Sequence, residues 1–296
     1  MRRLLGGRRL DAVHGWLLLL PAAVLLATFT HYPILASLVD SVRSTPRGGQ
    51  PAVFVGLENY GFMAADPIFW RVMGNNVVFA LGTIPASIVL ALLMATWIDR
   101  RLPARALVRL AYFTPTILPM VAVANIWLFF YTPQFGLLDQ VRALFGAAHH
   151  NWLGDPSTVM GCLIVMTVWK EAGFFSIFYL AALQHLPPDL KEAAAIEGTP
   201  RWTFFRRVTL PLLMPTTLFV LVNATINSFK LVDQLFILTK GGPDNASNLL
   251  LYYLYEVAFG YNDWAYAATL TVLLLAILAV LAIAQFGLIE RRVHYR

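Results

Sequence analysis

Polar side chains lie within two long apolar stretches of this 296-residue sequence. Lys170 and Glu171 interrupt one stretch, and Asn223, Asn227 and Lys230 recur at intervals of four and three residues in the next. Residues at that spacing share one face of a helix. Because ionisable groups are costly inside apolar helices, they are functional candidates by default. The polar stripe on the second stretch suits a solute with many hydroxyl groups, such as a sugar or a polyol.

The neighbouring residues Lys170 and Glu171 leave two interpretations open. Adjacent residues project about 100° apart on a helix, so the two side chains are expected to face different partners. Either one of them faces a cavity or a partner protein, or both pair with other buried groups and only hold the helices together.

Two further residues near these positions are candidates for the same site. Phe174 belongs to a group of aromatic residues that could stack on a sugar ring, although ordinary helix packing is the favoured interpretation for each taken singly. The group consists of Trp169, Phe174, Phe175 and Tyr179. Asp233 follows Lys230 by three residues, and this spacing predicts an intrahelical ion pair. If the solute were a phosphate ester, Lys230 would be the residue to bind it.

The composition indicates a membrane protein. Hydrophobic residues make up 58% of the chain and charged residues 13%, whereas soluble domains carry about 25% charge. Six apolar stretches are each long enough to cross about 30 Å of hydrocarbon. They cover approximately residues 14–39, 72–97, 107–130, 159–183, 210–229 and 266–289. The sequence therefore predicts an all-α membrane protein with six transmembrane helices in a single domain, 1–296.

Lysine and arginine residues are distributed unevenly around these stretches. Fifteen lie in the N-terminal segment, the tail and the connections after the second and fourth stretches, and four lie in the other connections. Because cytoplasmic connections carry the excess of basic residues, both termini are predicted to be cytoplasmic. The net charge of +6 is explained by this topology, and no nucleic acid partner is expected.

The sequence carries no recognisable catalytic motif. It lacks the G-x-x-x-x-G-K-[ST] phosphate-binding loop, so the chain is not expected to hydrolyse ATP alone. The histidines show no metal-ligand spacing, and His149-His150 is interpreted as an exposed loop pair. The single cysteine, Cys162, lies in an apolar run, where we expect a packing role. Neither an enzyme, nor a metal site, nor a bound cofactor is therefore predicted.

A polar loop from Pro187 to Pro211 separates the fourth and fifth stretches. A proline near its start suits a first helical turn. Gly198 can adopt the left-handed conformation that ends a helix, and Thr199 followed by Pro200 predicts the N-cap and first position of another helix. The loop is therefore predicted to form two short helices on the cytoplasmic surface.

The same loop combines exposed apolar and acidic side chains. Ile196, Trp202 and Phe205 offer apolar contacts, whereas Glu192 and Glu197 offer negative charge. A helix resting on the lipid interface is the alternative interpretation, since aromatic residues are common there. Anionic lipid would repel the two carboxylates, so docking of a partner protein is the favoured interpretation.

The motif in this loop resembles that of a known family. Glu192-Ala193-Ala194, Gly198 six residues after Glu192, and Leu210-Pro211 resemble the EAA loop of permeases from binding-protein-dependent ABC importers. Glu197 and Thr199 stand where the family often has Asp and Ala. Further segments fit the carbohydrate-uptake members of the maltose and glycerol-phosphate type: 54–60, 152–156, 241–243, 255–259 and 264–268. The tail, with Gln285, Phe286, Glu290, Val293 and Tyr295, favours the glycerol-phosphate branch.

The resemblance implies a fold, a coupling surface and a set of partners. The fold would be that of a type I ABC importer permease in the bacterial cytoplasmic (inner) membrane. The loop would form the coupling helix that sits in a cleft of a cytoplasmic ATPase subunit. Its coupling residues would be Glu192, Ala193, Ala194, Ile196, Glu197, Gly198, Trp202, Phe205 and Pro211.

The family's other subunits would supply the energy and deliver the solute. They are a second permease subunit that forms a heterodimer with this chain, two ATPase subunits that bind ATP and Mg²⁺, and an extracytoplasmic solute-binding protein. The imported solute would be a sugar or polyol, including glycerol 3-phosphate. The substrate pathway would include Glu171, Phe174, Asn223, Asn227, Lys230 and Asp233. Two other classes are weighed against this one, a stand-alone secondary carrier for a polar solute and a membrane-embedded enzyme.

Overall fold

The protein is mostly helical in the residues that its computed structural model describes, 2–46, 48–99 and 105–289. Residues 2–13, 105, 288 and 289 are described by backbone alone. Within those ranges it has no β-strand, only an isolated bridge between Arg43 and Phe54. The α-helices are α1 (Arg2–Leu26), α2 (Tyr32–Asp40), α3 (Glu58–Ala65), α4 (Pro67–Ile98), α5 (Arg105–Ile117), α6 (Met120–Tyr131), α7 (Leu137–Leu144), α8 (Val159–Gln184), α9 (Pro188–Ile196), α10 (Arg201–Phe204), α11 (Leu210–Leu212), α12 (Met214–Lys230), α13 (Asp233–Leu238), α14 (Leu250–Tyr255) and α15 (Trp264–Ile289). Short π-helical segments cover Ala27–His31, Phe205–Thr209 and Glu256–Gly260. The predicted all-α class is confirmed.

Some of the residues used above lie outside the described residues. They are Arg47, Arg100, Arg101, Arg291, Arg292 and Arg296 from the charge count, and Glu290, Val293 and Tyr295 from the tail.

Four helical segments are long and apolar enough to cross a membrane: His14–Asp40, Pro67–Ile98, Val159–Gln184 and Trp264–Gly287. Each contains or closely matches one of the predicted stretches. Two more would be added if each of two bent pairs counts as one span. The pairs are Ala106–Ile117 with Met120–Tyr131, bent by 102°, and Arg201–Leu212 with Met214–Leu238, bent by 66°. The structure therefore supports four to six spans, and the number six stays a prediction.

The chain divides into two compact units, each with its own internal contacts. The smaller consists of Met1–Ala65 and Val257–Leu273. In it, the Asn59 side-chain amide donates to the carbonyls of Ser41 and Arg43 at 2.9 and 2.8 Å. The Phe62 ring meets the Tyr266 ring edge-on at 5.0 Å. These contacts hold the connection after α2 and the start of α15 in one unit.

The larger unit consists of Asp66–Glu256 and Leu274–Arg296 and contains all the candidate site residues. One core cluster includes Phe175, Tyr179 and Leu213, and another includes Phe79 and Leu163. These apolar clusters fix α8 against its neighbours, so α8 can present polar side chains at defined positions.

Two glycines allow the helices around α8 to approach closely. A Cβ on Gly173 would lie 2.4 Å from the carbonyl oxygen of Tyr112, and one on Gly82 would lie 2.7 Å from the Ile164 side chain. Since real Cβ contacts essentially never fall below 3.0 Å, any side chain at Gly173 would push α5 away from α8. Glycine at this position thus sets how near the end of α5 lies to Lys170 and Glu171.

Candidate functional site

The loop predicted to dock a partner forms two helices joined by a tight turn. α9 ends at Ile196, and Gly198 follows with φ of +66°. The amides of Gly198 and Thr199 donate to the carbonyls of Ala195 and Ala194 at 3.2 and 2.9 Å. This is the left-handed helix termination predicted from the sequence, and it is confirmed.

The start of the second helix differs from the prediction by one residue. α10 begins at Arg201, so Pro200 rather than Thr199 occupies the N-cap position, and no side chain caps the helix. The cap carbonyl of Pro200 instead accepts from the Phe204 amide at 3.0 Å. Proline is placed one position earlier than its usual first helical site because its extended backbone, ψ of 141°, makes the turn.

The turn between the helices presents apolar side chains to the outside. Ile196 is 88% exposed and Trp202 is 70% exposed. The Trp202 ring stacks on Phe205 with centroids 5.8 Å apart and planes inclined by 23°. Stacking orders the two rings in advance, so binding a partner would cost less side-chain entropy than ordering them at the encounter.

Glu192 and Glu197 in the loop are exposed, and neither has a charged partner in the part of the chain that the structure describes. Glu192 and Glu197 make neither a hydrogen bond nor an ion pair among the residues that the structure describes. Ala193 and Pro211 are also exposed, and Ala194 is half-buried. The surface therefore offers unneutralised negative charge beside exposed aromatic and aliphatic groups.

An ion pair links the docking surface to the end of α4. The Lys191 ammonium lies 3.2 Å from the carboxylate of Asp99, the residue at the C-cap of α4. A cavity of about 390 Å³ lies behind the loop and is lined by Leu93, Thr96, Asp99, Leu183, Lys191, Arg201, Trp202, Phe204, Phe205 and Thr209. Trp202 and Phe205 thus line a cavity on the side that faces α4 and α8.

A second cavity, of about 230 Å³, lies among the apolar helices. Its lining consists of Met120, Lys170, Glu171, Asn227, Lys230, Leu231, Val232 and Asp233. Four residues predicted for the substrate pathway meet here: Glu171, Asn227, Lys230 and Asp233. The structure therefore brings together polar groups from α8 and from the end of α12.

Lys170 and Glu171 face different partners, as the helical geometry predicts. The Lys170 ammonium donates to the carbonyls of Pro115 and Leu118 at 3.0 and 2.7 Å. These carbonyls lie where α5 ends and the chain bends by 102° into α6, so they have lost their helical partners. A positive charge at a helix C-terminus is also favourable electrostatically. For Lys170 this geometry supports the structural alternative.

Among the described residues, one hydrogen bond joins Glu171 to α12. The Asn227 side-chain amide donates to Glu171 Oε1 at 3.0 Å. The other members of the cavity lining leave room around this pair. Glu171 and Asn227 therefore combine a carboxylate and a carboxamide at one wall, a combination that can both donate to and accept from hydroxyl groups.

The predicted ion pair between Lys230 and Asp233 is wrong. α12 ends at Lys230, Leu231 is extended with ψ of 118°, and Asp233 begins α13. The three-residue spacing therefore does not correspond to one helical turn. Both side chains are exposed, and neither has a hydrogen-bond or ionic partner in the described part of the chain.

Two other predicted pathway residues lie outside this cavity. Asn223 donates to the Phe219 carbonyl of its own helix at 2.8 Å. Phe174 packs edge-on against Phe178 at 5.2 Å, the helix-packing role favoured from the sequence. Asn223 does share a helix with Asn227 and Lys230 at the predicted spacing, but the cavity lies at the end of α12, beyond the reach of Asn223.

Sequence reasoning missed parts of this site. Met120 lines it because α6 starts beside the broken end of α5, and Leu231-Val232 line it because α12 is interrupted there. Pro119 before Met120 was a visible signal for the first break. For the second break no proline or glycine marks the position, so the sequence offers no local signal.

The chain belongs to the family described as "binding-protein-dependent transport system inner membrane component", whose model matches residues 67–295. The match includes the loop around Gly198 and every residue that lines the cavity at Glu171. It confirms the family suggested by the Glu192-Ala193-Ala194 and Gly198 motif, and it identifies the chain as a membrane transport component.

Relatives of similar length fit this assignment. The chain is 33% identical to the lactose transport system permease protein LacF of Rhizobium radiobacter, over 94% of this chain and 95% of that protein. It is 31% identical to the sn-glycerol-3-phosphate transport system permease protein UgpA of Brucella abortus, over 95% and 96%.

A solved structure shares the fold. The chain superposes on a chain of a bacterial ABC transporter involved in the import of the acidic polysaccharide alginate with a TM-score of 0.83. The identity is 22%, and 98% of this chain and 99% of that chain are covered. The permease fold is therefore shared over nearly the whole length.

Proposed function

We propose that this chain is the permease subunit of an ATP-driven importer for a sugar or polyol, coupled to an ATPase through the turn at Gly198. The observation that carries the proposal is the exposed surface of that turn. It holds two carboxylates without partners among the described residues, beside Ile196 and the stacked Trp202 and Phe205. A surface of this kind fits a cleft with an apolar floor and a basic rim.

The partner at this surface is a cytoplasmic ATPase subunit that binds ATP and Mg²⁺. Glu192 meets a basic residue there, and Ile196, Trp202 and Phe205 fill the cleft. Buried aromatic anchors dominate the energetics of most interfaces, so Trp202 contributes most to docking. The complete importer contains this chain, a second permease subunit, two ATPase subunits and an extracytoplasmic solute-binding protein.

The solute passes the cavity formed by Glu171, Asn227, Lys230 and Asp233. Its mixture of acceptors and donors matches a molecule with several hydroxyl groups. The printed names of the relatives include lactose and glycerol 3-phosphate systems, which is consistent with a solute of this class.

A phosphorylated polyol such as glycerol 3-phosphate is a second candidate. It is favoured by Lys230, an exposed ammonium without a hydrogen-bond or ionic partner among the described residues. If the solute is phosphorylated, replacing Lys230 by glutamine lowers its uptake strongly. For a neutral sugar the same replacement has a small effect. Titration of the solute-binding protein with both classes identifies the solute independently.

The proposal includes six spans, a type I importer fold, a single transmembrane domain and cytoplasmic termini. Each bent pair then counts as one span. The turn at Gly198 lies in the cytoplasm together with the basic residues of its loop.

The coupling proposal is tested with a matched pair of glycine replacements. Gly198→Ala places a side chain at φ of +66°, which costs about 1–2 kcal/mol, although a Cβ there meets no atom within 4 Å. Gly74→Ala adds a Cβ in equally open space within α4, at an ordinary helical φ. The measurement is the stimulation of ATP hydrolysis by the loaded solute-binding protein in the purified complex.

We expect Gly198→Ala to weaken this stimulation and Gly74→Ala to leave it unchanged. Normal coupling in Gly198→Ala, and also in Gly198→Pro, would contradict the docking role. Uptake that proceeds without ATP would instead indicate a secondary carrier.

A further inference from the structure

The short helix α7 turns its charged side chains inward and its apolar side chains outward. Asp139 is 1% exposed and accepts hydrogen bonds from the Gln134 amide at 2.9 Å and the Trp152 indole at 3.0 Å. Leu144 is 84% exposed, and Phe145, which follows the helix, is 85% exposed. A helix beside water shows the opposite arrangement.

The exposed apolar residues share one face of α7. With about 100° per residue, Leu137, Val141, Leu144 and Phe145 fall within an arc of about 100°, and Asp139 projects roughly opposite. All four are exposed. The arc contains only aliphatic and phenyl groups and no hydrogen-bonding side chain. Whatever covers this face is therefore apolar.

The position of α7 is fixed at the end of an apolar helix. The Gly136 amide donates to the Thr132 carbonyl at 2.8 Å. A Cβ on Gly136 would lie 2.5 Å from the carbonyl oxygens of Phe130 and Thr132. This tight turn leaves α7 beside the end of α6, which carries exposed Phe129 on its own surface. Phe135 in the connection is also exposed.

We propose that α7 is an interfacial helix whose apolar face inserts into the headgroup and acyl boundary of the phospholipid membrane. Exposed apolar side chains follow one another along the chain from Phe129 on α6 through Phe135 to the apolar face of α7, so lipid around α6 has an apolar path to α7. An interfacial helix buries its apolar face about 5–10 Å into this boundary. The proposal requires only that α6 is a membrane helix of this inner membrane component, and it is independent of the transported solute.

Lipid fits this face better than a partner protein does. A protein interface carries about one hydrogen bond per 100–200 Å², and the apolar arc offers no side-chain group that could form one. On the other side of α7, the Arg142 guanidinium carbon lies 5.3 Å from the centre of the Trp152 ring. Arginine and tryptophan are residue types commonly found at the membrane interface.

The proposal is tested with single cysteines, since Cys162 is the chain's only native cysteine. In a Cys162→Ala background, Leu144→Cys, Phe145→Cys and Ala143→Cys are labelled with the environment-sensitive fluorophore NBD. Ala143 is exposed but projects about 100° away from Leu144 on the helix, so it is the matched control. The full chain, purified with the subunits that accompany it, is reconstituted in phosphatidylethanolamine–phosphatidylglycerol vesicles.

The readout is quenching by phospholipid that carries doxyl groups on its acyl chains. We expect quenching at 144 and 145 to be several-fold stronger than at 143, with blue-shifted emission. Equal quenching at the three positions would overturn the proposal. Blue-shifted emission at 144 and 145 without doxyl quenching would also overturn it, because a protein would then cover the face. Leu144 and Phe145 are both exposed, so neither replacement should disturb folding. Agreement between the two labels shows that the result does not depend on one misfolded variant.

Discussion

Two lysines line the same cavity, but only one of them has partners among the described residues. Lys170 donates to two carbonyls at the end of α5, whereas Lys230 is exposed without a partner in that part of the chain. The sequence marks both as ionisable residues in apolar stretches and cannot rank them. The difference depends on where α5 breaks, which is a tertiary feature.

The bond between Asn227 and Glu171 can be tested by removing its donor. Asn227→Ala leaves the half-buried Glu171 carboxylate without this partner, and a hydrogen bond to a charged group contributes about 1.5–3 kcal/mol. We expect uptake to fall by roughly tenfold or more, which corresponds to about 1.4 kcal/mol. The assay is radiolabelled solute uptake into cells.

Asn223→Ala is the matched control for this experiment. Asn223 is also a carboxamide on α12, but it donates to the carbonyl of Phe219 in its own helix. Its replacement should leave uptake near the original level. Equal losses in the two variants would show that the cavity is not part of the pathway.

Because Asp139 is ionised and hydrogen-bonded, we expect the connection between α6 and α8 to lose order at acidic pH. Its pKa lies below the ordinary value because the Gln134 amide, followed by the amide of His150 and the side chains of Trp152 and His149, stabilises the carboxylate. Because the pKa of Asp139 in the folded protein is lowered, its ionised carboxylate stabilises the fold at any pH above the ordinary pKa of about 3.9. This stabilisation is lost as the pH falls below that value. The connection should therefore stay ordered from pH 7 to about pH 5 and loosen below about pH 4.

The Trp152 indole reports on this transition because it donates to Asp139 at 3.0 Å. The measurement is the fluorine NMR signal of 5-fluorotryptophan at Trp152, assigned with a Trp152→Phe variant. Asp139→Asn should show a changed signal already at neutral pH and no acid transition. A signal that does not change as the pH falls below about 4 would contradict the prediction.

At the scale of helices, the sequence indicates the position of the break between α5 and α6 but not its size. Residues 107–130 are predominantly apolar, with Pro119 among them, yet the structure bends by 102° between Ile117 and Met120. Proline predicts a kink, but its size depends on whether the freed carbonyls find other donors. Lys170, some fifty positions later in the sequence, provides that donor.

Removing this donor should destabilise the fold. Lys170→Met leaves the Pro115 and Leu118 carbonyls unsatisfied, at a cost of about 1–3 kcal/mol each. Each kcal/mol lowers the melting temperature of a chain this size by about 2–4 °C. The measurement is thermal unfolding of the purified protein in detergent.

Lys230→Met provides the comparison because it removes the same charge from the same cavity. Lys230 has no partner to lose within the described residues, so its melting temperature should change little. If both variants melt alike, the two hydrogen bonds of Lys170 contribute nothing to stability.

At the scale of the whole chain, hydropathy predicted the helical segments closely and their connections poorly. The stretches at 72–97 and 159–183 lie within α4 and α8, because long apolar runs can satisfy their backbone only as helices. The helices α7 and α13 and the ends at Lys230 and Ile117 depend on packing between distant segments. For this reason the coupling turn at Gly198, which depends on local capping, was predictable, whereas the cavity lining was predictable only in part.

The predicted topology also has a direct test. In the Cys162→Ala background, a membrane-impermeant maleimide should label Ala147→Cys in intact spheroplasts and label Ile196→Cys only after permeabilisation. Both positions are exposed in this chain. The chain is expressed without the ATPase subunits, which are proposed to cover Ile196, so accessibility differs only through the side of the membrane. Labelling of Ile196→Cys in sealed spheroplasts would exclude a cytoplasmic coupling loop and cytoplasmic termini with six spans.

The helical run Arg201–Leu212, which meets the next run at 66°, can act as a lever arm. Twelve residues at 1.5 Å each give it a length of about 18 Å, so a tilt of about 10° displaces its far end by about 3 Å. A small rotation of this run, imposed by a partner bound at Trp202, would thus move the start of α12 by about 3 Å. Spin labels at 201, which is exposed and is not a docking anchor, and at 216 would record this leverage as a change in distance between the ATP-bound and nucleotide-free complexes. An unchanged distance would exclude it.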